Sequence, residues 1–193
     1  MRRRYSTELP ADATRPARHR DAPPPGTPIA SHYAQCFGCG GEHPAGLHLS
    51  VVAGEGVSAQ AVLEVGEYHQ GAPGLAHGGL LAAAFDEAMG YVNWLVRVPA
   101  VTGRLETTFF RPVPVGSRLH LDARAVGVAG RRVFMQAEGR LSDPQGALAV
   151  SAAAVFVQVP LEHFSTHGRT EDVAAAAAAA RATGDIRGYE VNP

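Results

Sequence analysis

The stretch HGGLLAAAFDEAMGYVNWLV, His77–Val96, holds no proline and, past its first turn, a single glycine, Gly90. A run of this length without a breaker predicts a helix. Leu80, Leu81, Ala82, Phe85, Ala88, Met89, Val92 and Leu95 put apolar side chains on nearly every side of it. A helix that is apolar all round has to be enclosed by the rest of the chain. Asp86, Glu87, Asn93 and Arg97 interrupt the longest apolar stretch, Leu80–Val98, and a charge at the centre of a membrane span costs roughly 3 kcal/mol, so the sequence predicts a buried helix in a soluble fold.

Outward from the helix, the pattern changes on both sides. Before it, residues 46–52 and 57–65 alternate apolar and polar positions around Gly54-Glu55-Gly56, which reads as a hairpin, and Gly71-Ala72-Pro73-Gly74 marks a loop. After it come four strand-like segments, at about 100–111, 116–128, 131–142 and 146–159. The loops between them are too short for parallel crossovers, so consecutive strands are antiparallel neighbours. One hairpin, one enclosed helix and four antiparallel strands predict an α+β domain whose curved sheet wraps a single helix.

The ends read differently. Residues 1–28 are rich in Arg, Pro and Ala, and Asp21–Pro28 (DAPPPGTP) holds neither helix nor central strand, which predicts a disordered leader. The folded domain is expected over 29–163 and a tail over 164–193. In that tail Thr170-Glu171-Asp172 and the alanines from Ala174 to Ala180 predict a short helix ended by Gly184. A chain of 193 residues fits one domain with a sizeable core, and 17 basic against 18 acidic residues gives no basic surface for nucleic acid or for a membrane. Met1-Arg2-Arg3-Arg4 leads into no apolar segment, and Cys36 and Cys39 enclose too small a loop for a secreted disulfide scaffold. A cytoplasmic protein is the expectation.

Two features carry chemistry. Gly74-Leu75-Ala76-His77-Gly78-Gly79 opens the helix, where unpaired backbone N–H groups attract negative charge and glycines such as Gly78 admit a ligand. The Gly79 N–H is the candidate donor to an oxyanion, with His77 holding the turn or the carbonyl. Asp86, a carboxylate in an apolar helix, needs a partner or a function. Nine residues separate it from His77, about 13 Å along the axis and on the opposite side of a straight helix. The two groups share a centre only if a second subunit brings its own Asp86 to the first one's helix mouth, as a twofold dimer does reciprocally. Glu87, adjacent but rotated by about 100°, is the natural control.

His69-Gln70-Gly71, Gly74–Leu80 and Phe85–Gly90, with Cys36-Phe37-Gly38-Cys39-Gly40, Pro44–Leu47 and Phe110–Gly116, resemble the phenylacetyl-CoA thioesterase-like branch of the hotdog superfamily over residues 34–159. The resemblance implies an antiparallel sheet around the helix, a homodimer or dimer of dimers, and hydrolysis of an acyl-CoA without cofactor or metal. It also assigns roles: Asp86 as general base or nucleophile, the Gly79 N–H on the carbonyl, and the Thr102 hydroxyl assisting. Gln70 is a candidate to orient the water or the carbonyl.

Other readings compete. The same fold hosts non-hydrolytic acyl-CoA binding proteins. Arg104, Arg111, Arg131 and Arg132 are the arginines that could meet CoA phosphates. His32, Cys36, Cys39 and His43 have the ligand types of a zinc site, but they crowd into twelve residues where such sites usually separate two pairs by a longer loop, so no metal is expected.

Overall fold

The structure, a computed structural model, describes residues 6–97 and 99–182. Strands β1 (Pro28–Ile29), β2 (Ser50–Ala53) and β3 (Ser58–Glu64) precede a short 3-10 turn at Glu67–His69 and a small ribbon of β4 (Gln70–Ala72) and β5 (Leu75–Ala76). Helix α1 (Gly78–Val96) follows, then β6 (Ala100–Phe109), β7 (Arg118–Ala129), β8 (Arg132–Leu141) and β9 (Leu148–Gln158). Two helices, α2 (Glu162–His167) and α3 (Thr170–Ala182), end the described chain. The main sheet runs β1-β2-β3-β7-β8-β9-β6, antiparallel throughout.

The predicted helix, hairpin and four later strands are all present, with strand ends displaced by two residues or fewer except at the first hairpin strand, which starts at Ser50 rather than 46. Alternation explains the sheet. Leu119, Leu121 and Ala123 of β7 and Ala59, Ala61 and Leu63 of β3 are buried, while the residues between them face outward. Enclosure explains the helix: Ala84, Phe85, Ala88, Met89, Val92 and Leu95 have no exposed surface. Small residues under it, among them Ala137, Ala149 and Ala154, let the sheet come close. At Gly139 the Phe85 ring takes the space of a side chain, since a Cβ there would lie 2.7 Å from the ring's Cζ.

The α1 ends are capped by different means. His77 caps the start through its side chain, and Arg97 at φ 55° ends it with its N–H on the Asn93 carbonyl. Among the described residues β6 forms one edge of the sheet, ten residues long, with its outer row of backbone groups outside the ladder.

Residues 6–27 depart from the disordered leader that their composition predicts. Thr14 exchanges two backbone hydrogen bonds with Val128, at 2.9 Å each, and the His19 N–H caps the Leu95 carbonyl at 2.8 Å. The Arg18 guanidinium donates to the carbonyls of Gly54 (2.8 Å), Gly56 and Pro23, and Leu9 lies directly over Gly127. Proline bars this segment from a ladder of its own, but single bridges and one arginine satisfy it along the surface. At the other end α2 straddles the boundary drawn at 163, α3 occupies the predicted alanine run, and Gly184 lies outside the described residues. Among the described residues no helix is long and apolar enough to cross a membrane.

Candidate active site

The mouth of α1 is built from the loop before it. The His77 N–H donates to the His69 carbonyl at 2.7 Å, which folds the loop back on the helix start. A Cβ on Gly71 would come within 2.7 Å of the His77 Cα, so a glycine is required there. His77 Nδ1 accepts the Gly79 N–H at 3.0 Å. The imidazole therefore holds the turn, and the amide expected to serve an oxyanion is engaged by it. Gln70 braces the same loop: its Oε1 accepts the Gly74 N–H at 2.8 Å and its Nε2 donates to Glu67 Oε2 at 2.8 Å. Leu75, Ala76, Gly78, Leu81, Phe109 and Phe110 line an open groove of about 370 Å³ beside this mouth. The rings of Phe109 and Phe110 are about half exposed there.

Two turns further along, Asp86 is half-buried and accepts a hydrogen bond from Thr102 Oγ1 at 2.7 Å. Thr102 stands on β6 where the register with β9 slips between Thr102 and Arg104, a bulge that re-aims the local side chains. Burial raises the Asp86 carboxyl above the ordinary aspartate pKa of 3.8, and the Thr102 hydrogen bond works in the opposite direction. Of the residues singled out from sequence, the fold thus brings Asp86 and Thr102 together at mid-helix. It places His77, Gly78, Gly79 and Gln70 at the mouth, His77 about 13 Å away along the axis.

Glu87 is not the solvated neighbour that a control would be. The turn of the helix sends it away from β6 to the loop that carries the two cysteines. There its carboxylate lies 3.6 Å from Cys36 Sγ and 3.8 Å from His32 Nδ1. Cys39 Sγ completes the group at 3.4 Å from His32 Nδ1. The Cys39 thiol on its sulfur pulls the Cys36 thiol well below the usual range, and the same contact raises Cys39. His43, the fourth candidate ligand in the sequence, packs edge-on against Phe37 and caps the Ala45 N–H instead. Three of the four candidate phosphate arginines have partners within the chain. Arg104 bonds Glu106, Arg111 bonds the Leu148 carbonyl, and Arg132 lies over the Phe134 ring.

Residues 73–147 match the model of the thioesterase superfamily. A mutant of the phenylacetic acid degradation protein PaaI from Thermus thermophilus superposes with a TM-score of 0.53 at 28% identity, covering 58% of this chain and 95% of that one. The chain carries a hotdog fold. A Streptococcus mutans UA159 protein solved with acetyl CoA bound shares the hotdog fold at a TM-score of 0.54 and 19% identity, over 57% of this chain and 88% of the other. In sequence, the acyl-coenzyme A thioesterase THEM5 of Mus musculus is 35% identical over 104 residues, 54% of this chain. The chain spans 42% of that curated relative's length. The family match contains Asp86, Thr102, His77, Gly78 and Gly79, and leaves Gln70, the cysteine loop and residues 6–27 outside it.

Proposed function

We propose that this protein is an acyl-CoA thioesterase whose attack is driven by Asp86. The observation that carries the reading is the half-buried Asp86 carboxylate held by Thr102 on the enclosed helix of a hotdog fold. Relatives named as acyl-coenzyme A thioesterases support it, as does the acetyl CoA bound to a neighbour of the same fold.

Asp86 takes a proton from water, or itself attacks the thioester carbonyl to give an anhydride that water then opens. Either way a C–O bond forms, the C–S bond breaks, and the CoA thiolate leaves without a strong general acid. The carbonyl oxygen takes the Gly79 N–H in exchange for His77 Nδ1, so the histidine keeps the amide aimed while the site waits. The apolar groove at the helix mouth receives the acyl group. Since mouth and carboxylate lie apart in one chain, a twofold partner supplies the missing half. The ten-residue open edge of β6, which carries Thr102, is the surface for that pairing. The reduced Cys36 and Cys39 suit a cytoplasmic setting.

The test is a panel of short, long and aryl acyl-CoAs scored for free thiol released by the purified protein. Release with at least one member is expected. Binding without release from any of them would make the protein an acyl-CoA binder instead.

Thr102 is a positioning residue in this scheme. A hydrogen bond to a charged group contributes about 1.5–3 kcal/mol, so Thr102→Val should lower kcat by about ten- to a hundredfold with KM little changed, and Thr102→Ser should restore most of it. Equal kcat in all three proteins would remove Thr102 from the mechanism.

A further inference from the structure

We propose that His32, Cys36, Cys39 and Glu87 form a tetrahedral zinc site that staples the cysteine loop to the middle of α1. Their four ligand atoms all lie within 4.8 Å of one another. Zinc bonds of about 2.3 Å to sulfur and 2.0–2.1 Å to nitrogen or oxygen put neighbouring ligands of a tetrahedron about 3.3–3.8 Å apart. Cys39 Sγ to His32 Nδ1 is 3.4 Å, and Glu87 Oε1 is 3.7 Å from Cys36 Sγ and 3.8 Å from His32 Nδ1. An imidazole hydrogen-bonded directly to a carboxylate would sit nearer 2.7–3.2 Å, and the wider 3.8 Å gap leaves room for a cation between them.

The loop is shaped for this. At Gly38 the Glu87 carboxylate takes the space of a side chain, since a Cβ there would lie 2.4 Å from its carboxyl carbon. Gly40 has to be a glycine because a Cβ would lie 2.3 Å from the Ala34 carbonyl oxygen and 2.5 Å from the Cys36 nitrogen. The Gly40 N–H closes the turn on the Cys36 carbonyl at 2.8 Å, and the N–H groups of Leu47 and Leu49 pin it through the Phe37 and Gly38 carbonyls. Around the ligands, Ser31 Oγ is 3.3 Å from Cys39 Sγ and the Tyr91 ring meets His32 edge-on, the kind of outer support that orients metal ligands.

The assignment departs from the sequence expectation in both respects. A metal is proposed, and its fourth ligand is Glu87, on a helix far along the chain, rather than the nearby His43. Distance in sequence removes the objection that all four ligands crowd one short loop. Four protein ligands leave no open position, which makes the site structural rather than catalytic. Because Glu87 is adjacent to Asp86, anchoring it also fixes the rotation of α1 that points Asp86 at Thr102.

The full chain, purified under reductant without chelator, should contain one zinc per protein by elemental analysis. The metal-free protein should recover it from a buffered zinc solution with a rise in Tm. Cobalt(II) in its place should give intense tetrahedral d–d bands and a thiolate charge-transfer band. Glu87→Gln and Cys36→Ser should weaken zinc by more than the roughly 10–100-fold that outer-shell changes cost, whereas His43→Ala should leave it unchanged. The proposal is overturned if metal-free parent protein takes up no zinc, if Cys36→Ser binds it as tightly as the parent, or if His43→Ala rather than Glu87→Gln loses it. Uptake by the parent does not depend on any variant folding.

Discussion

Asp86→Asn should leave a folded protein whose kcat on its acyl-CoA substrate is lower by about 10²–10⁴-fold, the range a general base supplies. At 1.4 kcal/mol per decade this is about 3–5 kcal/mol of transition-state stabilisation. The change is isosteric and the Thr102 hydroxyl can still donate to an amide oxygen, so packing around the helix is preserved. Stability should not suffer. Burial raises the Asp86 pKa above its unfolded value, so its ionisation costs the fold stability as pH rises from about 3.8 through the raised value. At neutral pH the amide lacks that cost, and the variant's Tm should equal or exceed the parent's. Steady-state kinetics beside a thermal melt check both halves, and turnover within a few fold of the parent would remove Asp86 from the chemistry.

Phe85→Ala is expected to have the largest effect on stability, about 3–5 kcal/mol, as for other buried aromatic truncations. The ring is fully buried one residue before Asp86 and rests over Gly139 of β8, with Leu121 of β7 alongside. A glycine has no side chain to move into the void, so the cavity stays open. Midpoints of denaturant unfolding measure the loss. A change below about 1 kcal/mol, ordinary for a surface position, would mean that the sheet does not close on α1 as described.

What was legible in the sequence was whatever repeats over many residues. The apolar run of α1 and the alternation in the strands after it announce helix and sheet without help from distant residues. Asp86 stood out because a carboxylate conflicts with its surroundings, and Thr102 came from family resemblance, since nothing local separates it from Thr107 or Thr108. Glu87 escaped because its partners lie some 50 positions earlier, and helical rotation alone tells only that it faces a different way from Asp86. The engagement of Gly79 by His77 also depends on side-chain geometry that residue order does not specify. Residues 6–27 escaped for a related reason: their composition forbids a strand of their own but says nothing about single bonds to Val128, Leu95 and Gly54.

That segment bears on where the protein can be cut. β3 accompanies β7 only as far as Arg124, and Thr14 takes over at Val128, so the last stretch of β7 is closed by residues that look dispensable. Trimming at 28 on compositional grounds would bare those peptide groups together with the Gly127 hollow under Leu9, turning a finished sheet margin into an adhesive one.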